Sequence, residues 1–334
     1  MKGQSECGSS LFREVSATEL DAIISDAPHT KVESYRLLTG GLFNTTYLVD
    51  TTEHGRIVLR IGPVNRHLLM PFEHRLMEAE QQVYALCSKR GIPVSEVLAL
   101  DISKKIIDRD YMIVRYIPSQ PMNEAKLMPE EQAQICREIG KATARMHEIT
   151  APRFGRIVDV SEGKGFSKWS DCLLDELQQW ESVAAAIDLF TEKDRMQVRE
   201  IFGQALPYLN EIKTPCLVHT DLWFGNVLVR NNGASQEFAA IIDADRALWG
   251  DPEFEFSAIG WMQNDEHFWE GYGRRLSADN PGLIRRGIYR LLSRLWNSYV
   301  FMREYNEPET AYEQRAEAYE QMEELQQLLR MSRN

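Results

Sequence analysis

The sequence predicts an α+β fold of two lobes, a small antiparallel β-sheet lobe with one main helix followed by a larger, mostly helical lobe. β-rich runs crowd the region from residue 35 to residue 114, whereas apolar residues beyond it recur at helical spacing. Pro118 and Pro121 interrupt the chain between the two regions. We therefore expect two domains, 1–118 and 119–334, and the 334 residues are enough to give each domain a core.

The first lobe is predicted to contain a short helix, five strands and one longer helix. The short helix begins at Ser16, because Ser16 and Glu19 form a capping-box pattern. Apolar residues at helical spacing over residues 72–89 predict the longer helix, which Gly91 ends. The strands are predicted over residues 35–38, 45–49, 56–61, 97–100 and 111–114.

The second lobe is predicted to be helical except for three short apolar runs. Pro129 occupies a position typical of the start of a helix. Further helices are expected over residues 169–190 and 192–211, and two more near the end of the chain, over 284–302 and 312–329. The short runs, 217–218, 227–229 and 239–242, read as strands.

Composition and charge limit the classes of partner. The formal net charge of -12 disfavours nucleic acid and anionic membranes as partners, because these usually require a basic face. The five cysteines form no CxxC pair, which fits reduced thiols rather than a zinc site or a disulfide framework. No apolar run is long enough to cross a bilayer, so we expect a cytoplasmic protein. The oligomeric state stays open.

One loop concentrates the residues that carry chemistry. Strand-like runs flank the polar segment 219–226, which contains His219, Asp221 and Asn226, and Asp243 follows the next strand-like run. An amide oxygen and a carboxylate delivered to the same end of a hairpin are ligands that suit Mg²⁺. Asp221 would lie near that ion without necessarily binding it, which is the place for a base that accepts a hydroxyl proton.

This segment resembles the catalytic core of the aminoglycoside phosphotransferase and choline kinase family, which has the protein-kinase-like fold. The shared pattern is H-x-D-x-x-x-x-N followed by I-I-D and by a G-D-P segment at 250–252. The resemblance implies an ATP-dependent kinase that phosphorylates a hydroxyl of a small molecule. It makes Asp221 the catalytic base and Asn226 and Asp243 the Mg²⁺ ligands. His219 would support the loop through hydrogen bonds, and Asp251 would brace it.

The first lobe is similar to the nucleotide-binding lobe of the same family. Its glycine-containing hairpin over the nucleotide phosphates corresponds to the segment with Gly40, Gly41, Asn44 and Thr45. Glycines in such a turn let the backbone approach the phosphates closely. The resemblance therefore places the nucleotide in the first lobe and the catalytic and substrate-binding residues in the second.

The third strand departs from the kinase pattern. Arg60 stands where a protein kinase carries the lysine that contacts the phosphates, and arginine can still clamp them through its permanent charge. Its expected helix partner is Glu80, with Glu78 close enough to compete. Tyr116 and Ile117 lie where the family's hinge binds adenine through main-chain groups.

The acceptor is left open. An aminoglycoside or another amine-bearing compound is one candidate. The D-L-W-x-G-N pattern within 221–226 also resembles fructosamine-kinase-like proteins, and choline or homoserine remain alternatives. A catalytically weak pseudokinase that only binds nucleotide is a rival of another class, as is a helical binding protein in which these motifs are coincidental. The preference between ATP and GTP is not fixed by the motifs.

Overall fold

The first part of the chain is built on an antiparallel sheet of five strands. The structure, a computed structural model, describes residues 8–27, 29–38 and 41–332. The strands are β1 (Val32–Leu38), β2 (Thr45–Thr51), β3 (Gly55–Ile61), β4 (Val97–Asp101) and β5 (Tyr111–Arg115). Their order in the sheet is β1-β2-β3-β5-β4, with every neighbouring pair antiparallel. The five predicted strands are therefore confirmed.

Each face of this sheet is covered by a helix. α1 (Ala17–Asp26) begins after Ser16, where the expected capping box is present, and it buries Ile23 in the core shared with the strands. α2 (Leu76–Lys89) is the longer helix, and its Tyr84 lies in a core that it shares with the second lobe. Both helices predicted for this lobe, the short one and the main one, are therefore present, and α1 covers the outer face.

The second lobe is mostly helical. Its helices are α3 (Pro129–His147), α4 (Ile157–Ser161), α5 (Trp169–Ala184), α6 (Glu192–Leu209), α7 (Glu255–Ala258), α8 (Trp261–Asn264), α9 (Glu266–Tyr272), α10 (Asn280–Tyr299) and α11 (Pro308–Met331). Its strands are β6 (Gln120–Pro121), β7 (Gly155–Arg156), β8 (Cys216–Val218), β9 (Val227–Asn231), β10 (Gln236–Ile241) and β11 (Leu248–Gly250). They form two small sheets, ordered β10-β9-β6 and β7-β11-β8.

Two apolar cores hold the helical lobe together. One joins α5, α6, α10 and α11, and the other joins α2, α3 and α9 with the small sheets. The helices α3 and α9 approach each other at Gly140 and Gly271. A Cβ atom on Gly140 would lie 2.2 Å from the carbonyl oxygen of Phe268, and one on Gly271 would lie 2.0 Å from that of Arg137. Both positions therefore require glycine for close backbone approach.

Three predicted helices differ from the observed ones in detail. The segment expected as one helix over 72–89 starts as a 3₁₀ turn, Pro71–Arg75, because the backbone of Arg75 (φ -129°) interrupts α geometry. α5 ends at Ala184, short of residue 190. In α11 the buried stripe contains Ala311 and Ala318, whereas Tyr312 is 55% exposed. No helix in the described part of the chain is both long and apolar enough to span a membrane.

Candidate active site

The 219–226 loop connects β8 to β9, and β10 returns beside β9 to bring in Asp243. The backbone N–H of Ile242 donates to the carbonyl oxygen of Asn226 at 3.0 Å. The Asn226 amide in turn donates to the Asp221 carbonyl at 2.8 Å and to its carboxylate at 2.9 Å. Asp221, Asn226 and Asp243 therefore meet at one end of a hairpin, as the sequence predicted.

His219 is fully buried beneath this loop. Its Nε2 lies 3.0 Å from the carbonyl oxygen of Ile242, and its Nδ1 lies 3.3 Å from the backbone N–H of Asp221. A neutral ring protonated on Nε2 satisfies both contacts, because Nε2 then donates and Nδ1 accepts. The ring thus links the loop to the strand that leads to Asp243, and no atom of it is exposed to a substrate.

Glu255, the first residue of α7, braces the loop from below. It is fully buried, and it accepts hydrogen bonds from the backbone N–H groups of His219 (2.7 Å) and Thr220 (3.0 Å). His147 approaches the same carboxylate at 3.4 Å. Burial acts to raise the pKa of Glu255, but these donors hold it below its usual range. A buried carboxylate that accepts several N–H bonds is a rigid anchor for the loop.

The sequence assigned this bracing role to Asp251, and that expectation is wrong. The Asp251 carboxylate instead accepts hydrogen bonds from Tyr289 (2.7 Å) and from the backbone N–H of Glu253 (3.0 Å). It caps the turn that precedes α7 and so positions Glu255 indirectly. Glu255 has no motif of its own, and only its place just after the G-D-P segment could have drawn attention to it.

Asp221 has the electrostatic character of a base. Burial raises its pKa to about 6, and the positive charge of Arg246 opposes a still larger rise, while Asp243 adds to it. A carboxylate of this kind is ionised near neutral pH and accepts a proton more readily than an ordinary aspartate. Thr220, just before it, has left-handed backbone geometry (φ 71°), which turns the chain sharply at this point.

Arg60 connects the sheet to the hairpin. Its guanidinium forms short ion pairs with Glu80 and Asp243 and lies 3.9 Å from Asp245. Burial acts to lower the pKa of Arg60, but the neighbouring carboxylates hold it well above its usual value. Glu78, the competing partner, pairs instead with Arg75 at 2.8 Å. The structure therefore selects Glu80 as the helix partner of Arg60.

The oxygen-bearing side chains here form a set that fits a hard divalent cation. One carboxylate oxygen each from Glu80, Asp243 and Asp245 lies within 4.8 Å of the others. Asn226 uses its NH₂ group towards Asp221, so its amide oxygen is oriented as the remaining acceptor. Carboxylate and amide oxygens are the donor types that Mg²⁺ binds. Asp245 had not been singled out in the sequence.

The glycine turn is described from residue 41 onward, so the predicted role of Gly40 falls outside the described residues. At Gly41 a Cβ atom would lie 3.1 Å from the carbonyl oxygen of Asn44, so the turn is tight. Asn44 is 8% exposed, and its side-chain oxygen has no hydrogen-bond partner in the part of the chain that the structure describes. Thr45 is fully buried, with its hydroxyl bonded to the Arg13 carbonyl and to Arg109. The Thr45 side chain therefore faces the protein interior.

Tyr116 and Ile117 follow directly after β5, the strand that pairs with β3 and places Met112 opposite Arg60. The Arg56 guanidinium lies 5.4 Å above the Tyr116 ring. The Ile117 carbonyl accepts a hydrogen bond from the Ser119 hydroxyl at 2.8 Å. The structure thus puts this segment just beyond the end of β5, an inner strand of the sheet that carries Arg60.

A cavity of about 320 Å³ opens beside Asp245. It lies between the start of α2, α4 and α5, and its wall includes Phe72 and Asp159. The two arginines in the wall, Arg75 and Arg156, are already neutralised by glutamate partners. Of the two aspartates in the wall, Asp245 lies 3.9 Å from the Arg60 guanidinium, and burial raises the pKa of Asp245 well above its usual range. The Asp159 carboxylate therefore supplies the negative charge of the wall.

The chain matches the phosphotransferase enzyme family over residues 34–287. It belongs to that family. Among curated proteins it is 25% identical over 264 residues to "Probable ketoamine kinase VP1481" of Vibrio parahaemolyticus, covering 76% of this chain and 82% of that protein. A second relative, "Probable ketoamine kinase" of Vibrio cholerae, is 24% identical over 192 residues, with 54% of this chain and 60% of that protein covered.

Solved phosphotransferases share the fold at low sequence identity. A spectinomycin phosphotransferase solved with ADP and spectinomycin superposes with a TM-score of 0.58, 15% identity and coverage of 94% of this chain and 100% of that chain. An aminoglycoside phosphotransferase solved with GDP and kanamycin gives a TM-score of 0.62 at 17% identity, with 93% and 99% covered. The two-lobed protein-kinase-like fold predicted from the sequence is therefore confirmed.

Proposed function

We propose that this phosphotransferase transfers the γ-phosphoryl group of ATP to a hydroxyl group of a small, amine-bearing molecule. The observation that carries the proposal is the half-buried Asp221 carboxylate, held by Asn226 beside Asp243 at the end of one hairpin. The division into a nucleotide-binding lobe, 1–118, and a catalytic and substrate-binding lobe, 119–334, is part of the proposal.

ATP would lie between the lobes. The backbone of the glycine turn, including Gly41 and Asn44, would cover its phosphates, and Arg60 would contact them from the sheet. Adenine would meet the main chain at Tyr116 and Ile117. Support comes from the match to the phosphotransferase family and from structural neighbours that were solved with ADP or AMP-PNP.

Asn226 and Asp243 would hold Mg²⁺, which supplies charge neutralisation for the phosphates when it is bound. Arg60 now forms an ion pair with Asp243, so its guanidinium would have to move from that carboxylate towards the phosphates. Glu80 would retain Arg60 during this shift, because its own carboxylate is fully buried and already paired with it.

Asp221 is assigned as the base for phosphoryl transfer. The reaction needs no reagent other than ATP and the acceptor. The acceptor hydroxyl oxygen forms a bond to the γ-phosphorus, the bond from that phosphorus to the β-γ bridging oxygen breaks, and ADP leaves with the electron pair. The hydroxyl proton passes to the Asp221 carboxylate. His219 keeps the loop in place and is a positioning residue. Most of the acceleration would come from orientation and charge stabilisation.

An amine-bearing acceptor is favoured by the charge of the cavity beside Asp245. A ligand that enters it meets the Asp159 carboxylate, whereas both arginines of the wall are engaged elsewhere. An ammonium group would offset this charge. The two curated relatives named as ketoamine kinases make a sugar amine the first candidate within this class, ahead of aminoglycosides, choline and homoserine.

Two measurements test the proposal. A thermal-shift titration with Mg²⁺ and ATP should raise Tm, because a ligand that binds only the folded state stabilises it. Mass spectrometry of a panel of ketoamines, aminoglycosides and amino alcohols incubated with ATP should then find phosphate on at least one compound. Nucleotide binding without transfer to any compound of the panel would favour the pseudokinase. The absence of nucleotide binding would overturn both.

A further inference from the structure

Two buried glutamates meet behind the active site. Glu73, in the 3₁₀ turn before α2, is 2% exposed, and Glu304, in the π-helical segment Val300–Glu304 after α10, is 0% exposed. Both carboxyl groups accept a hydrogen bond from the backbone N–H of Met70, at 3.0 and 3.1 Å. This brings two acidic groups from opposite lobes to one backbone donor.

Within the part of the chain that the structure describes, one positive charge enters this pair directly. Arg246 donates from Nη2 to Oε1 of Glu73 at 2.5 Å. Two buried carboxylates against one guanidinium would leave an uncompensated charge, which is strongly unfavourable in a protein interior. The second oxygen of Glu304, Oε2, is also buried and has no partner in the part of the chain that the structure describes.

A proton on Glu304 removes the uncompensated charge and gives the unpartnered oxygen a role. The carboxyl group is then neutral, and its O–H can donate to Glu73, so the unpartnered oxygen becomes a donor. Burial and the negative charge of Glu73 raise the pKa of Glu304 to about 11, while Arg246 opposes the rise. The geometry of the cluster and the charge balance therefore agree on a proton held between the two side chains.

Arg246 connects this pair to the candidate active site. Its carbonyl oxygen accepts a hydrogen bond from the Thr220 hydroxyl at 3.2 Å, and another from Arg156 at 2.9 Å. Thr220 is the residue with left-handed geometry directly before Asp221. The Arg246 backbone is therefore tied to the residue that directly precedes Asp221.

We propose that Glu73 and Glu304 share one proton and together fix Arg246 as a positioning residue for the 219–226 loop. The consequence for catalysis rests on the proposed function. The contact between Glu73 and Arg246 also joins the two lobes. Glu73 lies before α2 in the first lobe, and Arg246 follows Asp243 in the second. The pair holds the loop in its working geometry before any substrate binds.

Three single variants separate this proposal from a purely structural role. Glu73→Gln removes the charge that holds Arg246, Glu304→Gln keeps a neutral donor of the same shape, and Glu211→Gln removes the partner of Arg285 away from the loop. Amide hydrogen exchange of the 219–226 loop is measured for each, together with kcat and KM for ATP from ADP release with Mg²⁺, ATP and water as the acceptor.

We expect Glu73→Gln to speed exchange of the loop about tenfold or more and to lower kcat by a similar factor, with KM for ATP within about twofold of wild type. Glu304→Gln should keep the slow exchange of wild type, because the glutamine side chain is neutral and can donate to Glu73 as the protonated glutamate does. Glu211→Gln should leave both exchange and kcat unchanged. Arg246→Met combined with Glu73→Gln should lose no more kcat than Arg246→Met alone.

Wild-type exchange in Glu73→Gln would overturn the proposal. Glu304→Gln as damaging as Glu73→Gln would also overturn it, because it would mean that an ionised Glu304 holds Arg246. The exchange readout does not depend on turnover. A wild-type protein that releases no ADP therefore contradicts the proposed function, while the exchange comparison still decides whether the pair positions the loop.

Discussion

The two walls of the cleft are held in different ways. On the side of the helical lobe, the 219–226 loop is tied down by Glu255, by the His219 ring and by the Arg246 carbonyl. On the side of the sheet, the described part of the glycine turn is contacted by the Ser9 hydroxyl, which donates to the Leu42 carbonyl at 2.6 Å, and Thr45 is bonded to Arg13 and Arg109. Beside it lies the unpartnered side-chain oxygen of Asn44.

This difference indicates a division of labour between the walls. A loop held by several buried hydrogen bonds presents its catalytic group in one geometry without a ligand, which is the arrangement that favours transition-state stabilisation. A turn that keeps a buried acceptor without a partner carries a cost that a ligand or water can remove. Changes in the loop should therefore act on kcat, and changes in the turn should act on KM for ATP.

Among the residues that support the two walls, the largest effect is expected from Glu255, the brace of the loop. Glu255→Ala leaves the buried N–H groups of His219 and Thr220 without an acceptor, so we expect about a hundredfold lower kcat and a loss of about 3 kcal/mol in the free energy of unfolding. Steady-state kinetics and urea unfolding measure the two quantities. Wild-type kcat in this variant would show that the loop needs no brace.

The next effect concerns Arg60, which belongs to the sheet but reaches the hairpin. Arg60→Lys keeps the charge but cannot bridge Glu80 and Asp243 with one planar group, so we expect kcat/KM for ATP to fall about thirtyfold. Arg36→Lys, on the outer strand β1, is the matched control and should behave as wild type. Equal kinetics for the two variants would remove Arg60 from the nucleotide site.

We expect acid pH to lower activity by protonating Asp221 in the 219–226 loop, without unfolding the protein. The pKa of Asp221, about 6, predicts that kcat/KM falls about tenfold per pH unit below pH 6, because the protonated carboxyl accepts no proton. The sign for stability is opposite: a carboxyl whose pKa is raised by folding stabilises the fold as it becomes protonated. Circular dichroism at pH 5 should therefore find the chain folded while activity is low, and no acid limb near pH 6 would contradict the assignment of Asp221.

The smallest effect is expected in the turn. Asn44→Ala removes a buried oxygen that has no partner, so the free energy of unfolding should stay within about 0.5 kcal/mol of wild type while KM for ATP changes about threefold. Thr45→Val, one residue on, breaks bonds to Arg13 and Arg109 and should lower stability by about 1 kcal/mol with KM unchanged. The reverse pattern would mean that Thr45, not Asn44, faces the nucleotide.

The sequence was informative where function depends on local spacing. Asp221, Asn226 and Asp243 could be predicted because two strands of one hairpin deliver them to the same end. The capping box at Ser16 and the strands of the first sheet follow from short-range patterns in the same way. These features depend on only a few neighbouring residues, so the amino-acid sequence is enough to predict them.

The supports of the site were not predictable because their partners lie far along the chain. Glu255 and the pair of Glu73 with Glu304 are ordinary acidic residues in the sequence, and only burial distinguishes them. Thr45 was predicted to bind nucleotide because it stands next to a glycine turn, yet strand alternation turns its side chain to the face covered by α1. The apolar stripe predicted for the last helix is right at Met322, Leu325 and Leu329, which are buried, but wrong at its start, where Ala311 rather than Tyr312 is buried.

Asp221 provides the most direct test of the central claim that the braced loop carries the catalytic base. The measurement compares wild type and Asp221→Asn for kcat of phosphate transfer to the best acceptor of the panel and for the Kd of ATP with Mg²⁺. We predict that Asp221→Asn loses kcat by about a thousandfold or more, while the Kd stays within about threefold. A variant that keeps its kcat, or that loses activity only because ATP no longer binds, would contradict the account.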